Sequence, residues 1–162
     1  MSRFSRCSPL LLAAFLLAGT LQSAQSAVEP QEHNNNAPRT ESGVTLNNGK
    51  PWKTDAPLRK GMEAIQRDMK EALPRIHAGT ESPRQYVALA RKMRNHVNGI
   101  FKQCKLPPKN DVQMHLVLDQ VLQGSEAMEA HNGQASGAAM IVHALDLYGR
   151  HFEHAGWKPI TH

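Results

Sequence analysis

Cysteine and aromatic residues are scarce in this 162-residue chain, and each shortage removes a class of protein. The cysteines are Cys7 and Cys104 alone. No Cys-x-x-Cys-His motif occurs, so haem attached through thioether bonds is excluded. Gly-x-Ser-x-Gly, a phosphate-binding glycine loop and His-Glu-x-x-His are also missing. The paired acids Glu126 and Glu129 have no nucleophile pattern near them, and no pair of helices carries the Glu-x-x-His of di-iron bundles. An enzyme is not expected. Aromatics make up 5% of residues and no run of Lys and Arg is interleaved with them, so nucleic-acid binding is not expected either. Beyond the first 27 residues there is no long apolar run, whereas a membrane-spanning helix needs about 20 apolar residues.

What stands at the N-terminus is a short apolar stretch with the three parts of a secretory signal. Arg3 and Arg6 give a positive start, Leu10 to Leu17 an apolar core, and Ala24-Gln25-Ser26-Ala27 the small residues of a cleavage site. Cys7 precedes the apolar core, so it cannot serve as a lipid-modified cysteine. Residues 1–27 are therefore expected to be a signal peptide, and the remainder a periplasmic protein without a membrane span. Losing Arg3 and Arg6 lowers the formal net charge from +5 to +3, a modest and scattered excess. Cys104 then remains without an intramolecular partner. In an oxidising compartment such a thiol is buried, metal-bound or paired with another molecule, and a dimer through Cys104 is one such outcome.

Residues 28–53 are rich in Asn, Gly, Pro and charge without an apolar period, and predict a flexible leader in which Trp52 staples onto the folded domain. Four amphipathic helices are predicted within residues 54–157, with 158–162 as a tail. In the first, Leu58, Met62, Ile65 and Met69 form one seam that Pro74 is expected to end or kink. Ser82 caps the second, where Tyr86, Ala90, Met93, Val97, Ile100 and Cys104 alternate four and three apart. The third starts at Asn110 or Asp111, and Met114, Val117, Val121 and Met128 share its face. Ala138, Ile141, Leu145, Tyr148 and Phe152 line the fourth. Short connections make neighbours antiparallel, so the fold class is all-α, an antiparallel up-down-up-down four-helix bundle.

That topology gathers Met62, His115 and His151 within about two turns of one end of the bundle, with Cys104 at its rim. Thioether, thiol and imidazole are the donors that copper and zinc select. Cys104 and His115 are the candidate metal ligands. The spacings Met93/His96, Met128/His131 and Met140/His143 put sulfur and imidazole on shared helix faces, although composition accounts for most of such pairs. The closing stretch with His151, His154 and His162 reads as a solvated, histidine-rich end.

The stretch "LRKGMEAIQRDM" at 58–69 and "DLYGRHFE" at 146–153 resemble helices 1 and 4 of the soluble periplasmic b-type cytochrome, of the four-helix class that includes the c-prime cytochromes. The resemblance covers about residues 55–155. It implies a non-covalent haem b held at one end of the bundle by a methionine early in helix 1 and a histidine late in helix 4. Met62 falls on the methionine. The histidine position falls on Gly149, with His151 two residues further and about 200° round the helix, so Met62 and His151 are the candidate cofactor ligands. The chain also resembles small secreted proteobacterial proteins sharing "TDAPLR", "CKLPP" and "YGRHF", from which no activity carries over. Two functions follow as expectations. One is haem b or copper binding, for electron transfer to a periplasmic redox partner or for metal handling. The other is a cofactor-free bundle serving as a periplasmic binding or stress-related interaction module.

Overall fold

The computed structural model describes residues 43–160. Four helices follow one another: α1 Ala56–His77, α2 Pro83–Gln103, α3 Pro108–Glu129 and α4 Gln134–His151. Each packs on the next in sequence, which with short connections gives the antiparallel four-helix bundle, and α1 and α4 close it with a lighter contact. The signal-peptide stretch 1–27, most of the leader and His162 lie outside the described residues.

The seams form the core. Leu58, Met62, Ile65 and Met69 of α1 are fully buried, as are Ala90, Met93 and Val97 of α2. Val117 and Val121 of α3 and Ile141 and Tyr148 of α4 complete it. With Cys104 unpaired, no disulfide joins these layers among the described residues. Each buried aliphatic side chain contributes about 1.5–3 kcal/mol.

Local chemistry sets the helix ends. Asp55 caps α1 by accepting the Leu58 N–H at 2.9 Å. Ser82 and Gln85 form a reciprocal capping box at α2, with Pro83 in its first turn. Of the end or kink expected at Pro74, the end does not occur, because α1 continues to His77. Proline removes one amide, but Ala78 and Thr80 donate back to Pro74 and Arg75 at 3.1 and 2.9 Å, and Gly79 reverses the chain at φ +66°. The third helix begins at Pro108, ahead of the expected Asn110, whose amide instead donates to the Lys53 carbonyl at 2.9 Å.

Two glycines let α3 and α4 meet backbone to backbone. A Cβ on Gly124 would lie 2.6 Å from the Gly137 carbonyl oxygen, and one on Gly137 would lie 2.5 Å from that of Gly124. No other residue fits either position at this crossing.

Segments on both flanks of the four helices make contacts with the bundle. Residues 43–53, expected as flexible leader, are mostly exposed but anchored at Val44 and Trp52. Val44 is fully buried, and Asn47 and Lys50 exchange backbone hydrogen bonds across a turn whose Asn48 and Gly49 are both left-handed. Trp52 is buried as a staple, its indole N–H donating to the Thr45 carbonyl at 2.6 Å. Its backbone exchanges bonds with His151 and Glu153, which ties this segment to the end of α4. Beyond α4, the chain folds back, and Trp157 and Ile160 pack on the core.

Candidate functional site

Met62 sits in the second turn of α1 with no solvent exposure, a consequence of the seam that places it among core side chains. His151 is the last residue of α4 and half-buried. Its Nδ1–H donates to the Leu147 carbonyl at 2.8 Å, the usual i to i−4 contact of a histidine at a helix C-terminus.

At the end of α4 stands an arrangement that the sequence reading missed. The Trp157 indole packs on Gly149, where any Cβ would be 2.6 Å from Nε1 and 2.8 Å from Cδ1. It meets the Tyr148 ring edge-on at 4.8 Å, and Tyr148 in turn stacks on Phe152 at 5.4 Å. The Tyr148 hydroxyl and His154 Nδ1 are 2.8 Å apart, and His154 Nε2 lies 3.0 Å from Glu63 Oε1 on α1. A carboxylate only accepts, so Nε2–H donates to Glu63 and Nδ1 takes the Tyr148 proton's hydrogen bond. Burial pushes the Tyr148 hydroxyl well above the usual phenol range, so it stays protonated. Gln66 of α1 donates to the Lys158 carbonyl at 2.9 Å. The segment 153–160 therefore bridges α1 and α4, which pack on each other less than the sequential neighbours do.

This packing bears on a haem ligated from position 149. Any side chain there collides with Trp157, and His154 is spent on Tyr148 and Glu63 with its side chain only 4% exposed. The expected solvated tail is thus a packed one at His154. The residues present do not fit a haem ligated from position 149.

The metal candidates come together elsewhere. Cys104 and His115 line one cavity of about 370 Å³ between α2 and α3, with Ile100, Phe101, Asp111, Met114 and Leu118. Met62 and His151 are not among its walls. His115 donates through Nδ1 to the Asp111 carbonyl at 2.9 Å and stacks on Phe101 at 5.2 Å, which leaves Nε2 free. Cys104 is the C-cap of α2, half-buried, and its thiol points to Asp55 Oδ1 at 3.5 Å. Burial, then the Asp55 charge and hydrogen bond, then Asp111, push this thiol up to about 12. It is a protonated thiol, unsuited to nucleophilic attack. Asp55 itself is pushed up by burial, but the Lys105 and Leu58 amides, the thiol and the Arg59 charge outweigh that and hold it below the usual carboxylate range. Of the Met-x-x-His histidines, His96 is committed to Asp68 at 2.9 Å across α1 and α2. Among the described residues, no group of three or more His, Cys, Asp or Glu is arranged to hold a metal ion. No helix among them is long and apolar enough to cross a membrane.

Asp55, His154 and Trp157 were not singled out from sequence as site residues. The contacts of Asp55 with Cys104 and of His154 with Glu63 join positions far apart in the chain, which no local pattern announces. The chain has no significant match among family models, curated proteins or solved structures, so its resemblance to the four-helix cytochromes rests on the quoted residues alone.

Proposed function

We propose that this chain is an exported, cofactor-free four-helix bundle that acts as a binding module and carries no electron. The observation that supports this reading is the seating of Trp157 on Gly149, at the position where the cytochrome resemblance calls for an axial histidine. With Met62 packed in the core and His154 engaged by Tyr148 and Glu63, the chain's own aromatic residues take up the end of the bundle that a haem would need. Export to the periplasm is part of the proposal on the strength of residues 1–27. The protonated Cys104 thiol speaks against a disulfide-linked dimer. The test is the absorption spectrum of protein purified from a haem-replete host and reduced with dithionite. No Soret band and no split visible bands are expected. A low-spin haem spectrum that disappears in Met62→Ala would overturn the reading.

A second reading has its own observation, the shared cavity of Cys104 and His115 with the free His115 Nε2. A soft cation such as copper(I) would bind there by displacing the thiol proton, with Asp111 nearby. Competition between copper and thiol alkylation tests it. Unhindered alkylation of Cys104 in copper-saturated protein sinks it.

A further inference from the structure

At the opposite end of the bundle from Gly149, α2 and the α3–α4 connection flank an open surface groove of about 400 Å³, with Arg84, Arg91 and His131 exposed. Pro83, Val87 and Ala88 give it an aliphatic side, and Arg84, Arg91, Glu129, His131 and Gln134 line the rest. Arg84 and Arg91 are seven residues apart, so they stand almost in line on α2, about 10 Å along its axis. Neither arginine makes a hydrogen bond or ion pair among the described residues.

The one carboxylate among these residues takes its hydrogen bonds from Arg94 and feels Arg91 only through charge. Glu129 is held in a two-pronged pair by Arg94, with one bond of 2.6 Å and a second between Arg94 Nη2 and Glu129 Oε1. That pair first, with the Arg91 charge also contributing, keeps the Glu129 carboxyl below its usual range. The nearby acid Glu81 is likewise bound by Arg75 at 2.6 Å. Glu126 is exposed, is not a wall of the groove and exerts its pull on Arg94. The sequence adds no acid in the first turn of α4, whose N-cap is Gly133 and supplies no side-chain acceptor. Positive charge is thus left over in a partly apolar recess.

We infer that this groove is a binding site for an oxyanion carried on a small apolar group, a phosphate monoester or an anionic lipid headgroup. The guanidinium groups of Arg84 and Arg91 pair with the phosphate oxygens, the geometry for which arginine is suited. The apolar part lies against Val87 and Ala88. The site stands apart from Gly149 and holds whether or not a cofactor is bound there.

The test measures binding of phenyl phosphate and inorganic phosphate by chemical-shift titration of the whole exported chain, at about 20 mM ionic strength where screening is weak. Co-sedimentation with vesicles of phosphatidylglycerol, against phosphatidylcholine alone, runs beside it. Phenyl phosphate is expected to bind more tightly than phosphate, with shifts centred on Arg84, Arg91 and His131. The double variant Arg84→Gln/Arg91→Gln should weaken binding tenfold or more. Lys50→Gln/Lys109→Gln, which removes equal charge at the other end, should leave it within twofold. Vesicle binding lost only in the arginine variant assigns the headgroup as source, and phenyl phosphate binding without vesicle binding assigns a free ester. Equal loss in both double variants, or no binding of any probe, overturns the site.

Discussion

The indole nitrogen of Trp157 lies 2.6 Å from the place a Cβ on Gly149 would occupy. That nitrogen is buried without a hydrogen-bond partner, which costs about 1–3 kcal/mol. The edge-on contact with Tyr148 and the tilted one with His154 offset the cost.

This contact gives a change of sign. In the wild type, Gly149→Ala should destabilise by about 1–3 kcal/mol, since the added methyl drives the indole off its seat. In a Trp157→Ala background the same change should stabilise by roughly 0.5–1 kcal/mol, the ordinary gain of alanine over glycine inside a helix. Urea unfolding of the four variants measures the coupling. Destabilisation of equal size in both backgrounds would mean that Trp157 does not sit on Gly149.

The helix crossings separate two kinds of glycine. Gly137→Ala should cost more than about 2 kcal/mol despite alanine's propensity, because its Cβ meets the Gly124 carbonyl and the Met128 amide nitrogen. Gly99→Ala, in α2 with open space around it, should stabilise by about 0.5–1 kcal/mol. Thermal melts of both variants read the contrast, and similar shifts in the two would contradict the close α3–α4 approach.

Acid should loosen the joint between the start of α1 and the end of α2. Asp55 accepts the Leu58 amide at 2.9 Å and the Lys105 amide at 2.6 Å, and its folded pKa lies below its ordinary value of 3.8. The stability it contributes is therefore present above pH ~4 and is lost as pH falls through the lower folded value. Asp55→Ala should cost about 1 kcal/mol at neutral pH, and the difference from wild type should shrink as both are taken down towards pH 2. A difference that is constant with pH would show that the charge plays no part.

Cys104 should react slowly. With its thiol pushed up to about 12, iodoacetamide at pH 8 should modify it at least about a hundredfold more slowly than a free cysteine. Asp55→Asn removes the neighbouring charge and should speed the reaction. Reaction of the wild type at the rate of a small-molecule thiol would contradict the assignment and reopen a disulfide-linked dimer.

The bundle could be read from the sequence because core burial repeats at the helical period, and Met62, Met93 and Ile141 all fall where that period puts them. The crossing at Gly124 and Gly137 gives no such signal, since a glycine marks close approach only by what it lacks. The α1 helix outruns Pro74 because backbone bonds from Ala78 and Thr80 close its end beyond the proline. Site chemistry depends on contacts distant in sequence. His154 meets Glu63 across 91 positions, and Asp55 meets Cys104 across 49, so neither pairing has a local pattern to reveal it. Cys104 and His115 were picked for their donor type, and they do line one cavity. Met62 and His151 were picked from the cytochrome pattern, and neither lines it.

The measurement that bears most directly on a cofactor-free bundle is a nuclear Overhauser spectrum of the whole protein, observing the Trp157 indole protons. Cross-peaks from Hε1 and Hδ1 to the Gly149 α-protons, with those α-protons shifted upfield by the ring and Hε1 slow to exchange, are the expected result. A Trp157 indole with free-peptide shifts, rapid exchange and no contact to Gly149 would contradict the account and leave position 149 open to a ligand.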